Sequence, residues 1–488
     1  MTIKWDCESR WVPGPVEVVF VLVLTMLLTA GRYGLLNDPG TPWHLRLGRE
    51  ILATGAVPRY DTLTFTHDHA AWVDQSWAFD VLLALLVDSW GWSAPIGLAS
   101  LGLATLYAAM ARGLIRDGHS PVVALVVSLF ATAIGTIHFL IRPHLFTFAF
   151  VFLTFRACQK QHERGGWSVA AVPLYTAILA NLHGGFVALP VIVATAAFGH
   201  AIAGAWDHAR RRNVFKFGLT IVACGVAGLA NPYGIGLYRH VIHLLVSSGV
   251  TSLIIEYQPA PFGKPEAEML EYVLLALVGL PVVSARRVDR YHIVHLLVWL
   301  HLALTSIRNA PFFALAAAPA LATLLDGLPL AMRKSWKQDD RSLIWPLTAV
   351  LGVLLLVVGG VKLGGFNPVK WPFVALRTLN QQSTAVRLFH EQDWGGLIAA
   401  ECQPVRRTYL DDRFEIYGKD GILEYCDVLN GGPVWDTVHD RDKIEMVWVR
   451  PDRGLAKRLL KEPGWEVLFR DKISILFKQV PARHLTAR

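Results

Sequence analysis

The chain has 488 residues, 53% of them hydrophobic and only 17% charged, with 17 Trp and a mean hydropathy of +0.40. Soluble globular domains carry about 25% charged residues, so the composition excludes an ordinary soluble protein and indicates an integral membrane one. The net charge of +8 is divided among short basic clusters between apolar runs, which is the positive-inside pattern, so no nucleic-acid partner is implied.

In chain order, residues 1–17 carry Asp6, Glu8 and several Trp and Pro rather than a basic leader, and no small-residue cleavage site follows the first apolar run at 18–31. That run reads as a retained first helix. Further largely uncharged stretches lie at 93–111, 121–137, 143–155, 167–182, 185–206, 217–232, 272–285, 291–307, 309–325 and 342–361. Together they predict about eleven transmembrane helices, several of which must tilt or extend past a charged end, because a span needs about 20 apolar residues.

With the N-terminus in the cytoplasm, every basic cluster falls on an inner loop. These are Arg112 and Arg116, Lys160 and Arg164, Arg210 to Arg212 with Lys216, Arg286 with Arg287 and Arg290, and Arg333, Lys334, Lys337 and Arg341. The outer face then receives the loop 37–92, "IRPHLF" (141–146), "NLHGG" (181–185), the loop 231–271, "SIRNAPFF" (306–313) and everything after 361.

Within the first outer loop, "HLRLGREILATG" predicts an amphipathic interfacial helix closed by Gly55, and "SWAFDVLLALLVDSWGW" a second, because Asp80 and Asp88 make a lone span expensive. The stretch 240–255 is open to three readings: an outer-face helix, a re-entrant segment or an additional span. Beyond 361, "GLIAAE", "RTYLD", "EMVWVR", "WEVLFRD" and "ISILFKQ" read as strands, while "STAVRLFHEQ", "GILEYCDVLNGG" and "GLAKRLLKEP" read as helices. The expected fold is a polytopic α-helical membrane domain over 1–361 and a small α/β extracytoplasmic domain over 362–488. Of the five cysteines (Cys7, Cys158, Cys224, Cys402 and Cys426) none has metal spacing, and Cys402 with Cys426 is the one disulfide candidate.

No phosphate-cradling glycine loop precedes a helix, and neither HExxH nor GxSxG occurs, so soluble nucleotide chemistry and ATP-driven transport by this chain alone are not supported. The chemistry-bearing residues collect on the outer face: Asp38, His44, Asp61, Asp74, Arg142, His144, His183, Glu256, Arg308 and Asn309. Ionisable groups at a membrane boundary are costly unless paired or solvated. Plain structural readings exist for several of them, since Asp61 and Asp74 suit turn and helix caps. His292, His295 and His301 are placed as core histidines of an apolar helix.

An Asp in the first outer loop directly after helix one, followed by interfacial helices, many spans and an outer C-terminal domain, resembles the GT-C superfamily of membrane glycosyltransferases, with a topology like that of oligosaccharyltransferases. More narrowly, "DPGTPWHLRLGREILATGAVPRYDTLTFT", "NLHGGF", "NPYG", "RNAPFF", "DWGGLIAAE" and "YLDDRFEIYG" are similar to a bacterial GT-C-like group, and the likeness runs over nearly the whole chain. The resemblance implies transfer of a sugar from a polyprenyl-phosphate-type carrier to a lipid, glycan or protein on the periplasmic side of the bacterial inner membrane. It makes Asp38 and Glu256 the catalytic candidates, and His44, Arg142, His144, His183, Arg308 and Asn309 the substrate-binding ones, with the two arginines suited to phosphate. A divalent Mg or Mn ion would take Asp38, His44 and Glu256 as candidate ligands, although no Asp or Glu sits two residues from Asp38 as in the usual acidic pair. Asp38, His44, His183, Glu256 and at least one of the arginines are expected to meet in one outer-face cavity. The alternative is a non-catalytic GT-C-like protein in envelope lipid or glycan transport, or an assembly subunit.

Overall fold

The computed structural model describes residues 13–247, 249–328 and 344–480, so the basic cluster Arg333 to Arg341 and Cys7 lie outside the described residues. Helix starts follow local capping chemistry: Ser120 accepts from Val123 N, Asp207 from Arg210 N and Asp289 from Tyr291 N, each a side-chain oxygen at a helix N-terminus. In chain order the helices are α1 (Pro15–Leu28), α2 (Gly40–Thr54), α3 (Trp77–Trp90), α4 (Ser93–Arg116), α5 (Pro121–Gly135) and α6 (His144–Arg164). Then come α7 (Val172–Leu182), α8 (Ala188–Ile202), α9 (His208–Ala227), α10 (Ile235–Ile242), α11 (Pro265–Val283), α12 (Arg290–Thr305), α13 (Ala310–Asp326) and α14 (Ile344–Val358). The chain closes with α15 (Phe373–Asn380), α16 (Gly395–Glu401), α17 (Phe414–Leu429), α18 (Val434–Asp442) and α19 (Gly454–Leu459), interleaved with four strands.

Two compact units result. The first comprises 1–35, 90–231 and 255–364, and holds α1, α4 to α9 and α11 to α14. Each of the eleven apolar stretches carries one of these helices. Four segments among the described residues, Ser93–Arg116, Pro121–His138, Gly184–Ile202 and Ile307–Asp326, are long and apolar enough to cross a membrane. The others fall short in length or in apolar composition: α6 has 21 residues but ends in charged ones, while α1 reaches about 21 Å at 1.5 Å per residue, short of a hydrocarbon core of about 30 Å. Within this unit α1 packs on α4 and α5, α12 on α13 and α8, and α8 on α9.

The second unit comprises 36–89, 232–254 and 365–488. It joins the long loop after α1 and the segment around α10 to the residues from Gly365 onward. Its sheet runs β1 (Leu388–His390), β2 (Met446–Val449), β4 (Ile475–Gln479), β3 (Trp465–Arg470) in spatial order, with β1 parallel to β2 and the other pairs antiparallel. Alternate strand residues face two cores. Leu388, Met446, Trp448 and Leu476 pack with α15 and α16, while Phe389, Val447 and Phe477 pack with α17, α18 and α19.

Several expectations are corrected here. "STAVRLFHEQ" contains strand β1 rather than a helix, because Leu388 to His390 are buried on both faces and show no polar alternation. "GLIAAE" is helix α16, and "RTYLD" contributes only an isolated bridge from Thr408 to Thr64. A short apolar run does not separate strand from helix by periodicity. Of the segment 240–255, which the sequence leaves open to three readings, the described residues form the end of α10 and a π turn at His243–Ser247, and Ile235–Val246 rises only about 18 Å. Cys402 and Cys426 are free thiols, the first buried and the second exposed, so the expected disulfide is absent.

The polar core of the second unit is built on Arg413, which is 2% exposed. Its Nη2 lies 2.8 Å from Asp61 and 2.6 Å from Asp411, and its guanidinium sits 4.7 Å from the Trp72 ring. Asp61 also accepts from the backbone N of Leu63 and Thr64, so it is the turn cap expected and an ion-pair partner as well. Removing the arginine strands two buried carboxylates. Arg413→Ala is therefore expected to cost about 3–5 kcal/mol, read as a lowered denaturation midpoint by tryptophan fluorescence; an unchanged midpoint would contradict this role.

Candidate functional site

In the first unit, polar side chains from four separated segments meet. Arg142 stands in the bend before α6, Glu256 in a single 3-10 turn (Ile255–Tyr257), and Arg308 in another (Ile307–Asn309). The two turns are tied by backbone, with Ser306 Oγ donating to Glu256 O at 3.1 Å and Ile307 N to Gln258 O at 2.9 Å. Arg142 Nη1 lies 3.7 Å from Glu256 Oε1, and Arg308 Nη1 lies 3.3 Å from Oε2. Burial alone would raise the Glu256 pKa, but the two guanidiniums outweigh it and hold the carboxyl down at about 2. Arg308 also lies over the Tyr257 ring at 5.0 Å.

The histidines belong to the same group. His144 donates from Nε2 to His138 O at 2.6 Å, and its ring lies 6.4 Å from that of His183. His183 uses Nδ1 as an acceptor, from Gly185 N at 3.1 Å and from the Thr147 hydroxyl at 2.7 Å. A Cβ at Gly185 would sit 2.6 Å from that Nδ1, so the glycine of "NLHGG" is required by the imidazole. Asn309 donates to Leu302 O at 3.1 Å and thereby closes α12. Sequence reasoning missed His138, which is buried within the field of Glu256, Arg308 and Arg142; its signal was its place four residues before Arg142 in "HFLIRPH". The first unit thus brings together Arg142, His144, His183, Glu256 and Arg308, while Asp38 and His44 belong to the second.

There, Asp38 is 2% exposed and its Oδ2 accepts from Thr41 N at 2.7 Å and Thr41 Oγ1 at 2.9 Å, which caps the first turn of α2. Along the same helix Trp43 donates its indole N–H to Asp412 and stacks on His44 at 3.7 Å. The two glycines of "DWGGLIAAE" fit this packing, since a Cβ at Gly396 would lie 2.5 Å from Pro39 O and one at Gly395 2.4 Å from Leu410 O.

His44 Nδ1 lies 2.6 Å from Asp80 Oδ1, and Gly48 permits the approach of α2 to α3, since a Cβ there would fall 1.9 Å from Asp80 O. Asp80 and Asp74 are both wholly buried. Burial pushes Asp74 up to about 6 against hydrogen bonds from Ser76, and burial followed by the Asp74 charge pushes Asp80 well above the carboxylate range.

The residues expected to ligate a metal do not fit one. Asp38 caps α2, His44 pairs with Asp80 and Glu256 with two arginines, and among the described residues no group of three or more His, Cys, Asp or Glu is arranged to hold an ion.

The fold is similar to two solved structures. One is an oligosaccharyltransferase of Archaeoglobus fulgidus in complex with Zn and sulfate, with a TM-score of 0.54 and 12% identity, covering 89% of this chain and 68% of the other. The second is ArnT from Cupriavidus metallidurans in the apo state, with a TM-score of 0.54 and 13% identity, covering 95% and 97%. At these identities the likeness shows the fold alone, an architecture shared with both membrane-protein structures. No protein-family model and no curated protein matches the sequence.

A carboxyl whose folded pKa lies above the unfolded value of about 3.9 gives stability that is present below that value and lost as pH rises through the folded pKa. Between about pH 4 and the Asp74 value of about 6, the second unit is therefore expected to lose stability. Asp74→Asn should flatten this fall in thermal unfolding across that window. An equal slope in the variant would remove Asp74 as the cause of the fall.

Proposed function

We propose that the chain is a membrane glycosyltransferase that moves a sugar from a polyprenyl-phosphate-type carrier to a lipid, glycan or protein acceptor on the extracytoplasmic face. The observation that carries this reading is the pair Arg142 and Arg308 meeting on one anionic group, in a chain whose fold is similar to that of an oligosaccharyltransferase and of ArnT. Guanidinium suits a phosphate bidentately, and the pair stabilises the phosphate as the bond from the anomeric carbon to the carrier oxygen breaks. An apolar pocket of about 700 Å3 in the same unit, lined by Leu22, Met26, Leu129, Ile137 and Met269, suits the hydrocarbon tail.

The resemblance assigns to Asp38 the part of the base that takes the proton of the acceptor hydroxyl. Glu256, held at about 2, stays ionised and is too weak a base near neutral pH, so its part is electrostatic. His183, with Nδ1 already accepting, offers Nε2–H to substrate, while His144 and Asn309 spend their donors on backbone carbonyls and hold the shape of the site. His44 acts through Asp80 to fix α2. The orientation that goes with this reading has a cytoplasmic N-terminus and residues 365–488 outside the inner membrane.

Asn caps a helix as well as Asp, so Asp38→Asn separates chemistry from capping. Transfer from radiolabelled polyprenyl-linked sugars to native membrane extract should fall at least about 100-fold with thermal stability nearly unchanged. The capping bonds of Asp38 favour a second reading, a non-catalytic scaffold in envelope transport or assembly. Unchanged transfer by the variant, or none by the native chain, supports that alternative. Protease added to intact spheroplasts should remove the region beyond Gly365; protection of it contradicts the orientation.

A further inference from the structure

We infer that Glu256 is the resident occupant of an oxyanion site: its carboxylate stands where a phosphate binds across Arg142 and Arg308, and phosphate entry displaces it. The inference rests on the lipid-phosphate reading above and adds what controls access to the two arginines. Each guanidinium addresses a different oxygen of the one carboxylate, Arg142 at 3.7 Å from Oε1 and Arg308 at 3.3 Å from Oε2. Charge-assisted N–O contacts run about 2.7–2.9 Å, so both pairs are loose. A phosphate offers the same two-oxygen face with a greater negative charge.

The site is also reachable and mechanically prepared. The side chains of Arg142, Glu256 and Arg308 keep 18%, 29% and 29% of their exposure, so a solute can compete for them. The turn carrying Glu256 is secured through its backbone, by Ser306 Oγ on Glu256 O and by Ile307 N on Gln258 O, and neither bond uses the carboxylate. The side chain can therefore swing aside while the turn stays. Arg308 keeps the Tyr257 ring beneath it when the carboxylate leaves.

The test is calorimetric titration of inorganic phosphate into the full-length chain in detergent, comparing the native chain, Glu256→Gln, and Arg142→Gln with Arg308→Gln. Glu256→Gln keeps shape and removes the competing charge, so it should bind phosphate about tenfold tighter or more, the worth of one contact to a charged group. The double arginine variant should lose binding, and its unfolding temperature measured alongside separates this from misfolding. Equal or weaker binding by Glu256→Gln, with binding still dependent on the arginines, overturns the displacement and leaves the donor reading standing. Phosphate binding that ignores the arginines, or none in any variant, overturns both.

Discussion

Charge withdrawn from water must be paired, and both units are organised by that requirement. Moving a charged side chain into a membrane or a protein interior is costly unless a partner compensates it. In the second unit Arg413 meets Asp61 and Asp411, which joins the loop after α1 to the region before α17. In the first unit Arg142 and Arg308 meet Glu256, which joins the bend before α6, the 255–257 turn and the turn before α13. These partners come from segments far apart in sequence, so the chain cannot satisfy its charges without closing its long-range topology.

The two clusters differ in what they leave available. Arg413 is wrapped by carboxylates and flanked by Trp43 and Trp72, with its side chain 1% exposed, and it serves the fold. Arg142 and Arg308 are engaged at longer range and remain partly exposed, the condition under which a substrate anion can exchange with an internal one. Asp74 and Asp80 are a third case, in which burial raises the carboxyl pKa and so favours the neutral form.

The helices were legible because span hydropathy is local: each apolar stretch carries one, and α2 ends at Gly55 in the left-handed conformation that its sequence implied. Strand β1 and helix α16 were misread because both are short and buried by neighbours that the local pattern does not reveal. The cost of charge at a membrane boundary singled out these residue types in the sequence, but it did not indicate their pairing. That His44 would find Asp80 thirty-six residues on, or that Asn309 would serve a helix end, depends on packing that no spacing rule encodes. His138 was missed because an imidazole at the end of an apolar run looks like an ordinary core histidine.

The most direct measurement of the central claim is a structure of the full chain bound to a short-chain isoprenyl-phosphate sugar. The account predicts the phosphate between Arg142 and Arg308 with the Glu256 carboxylate turned away from both. A phosphate bound elsewhere, with Glu256 still bridging the two arginines, would contradict it.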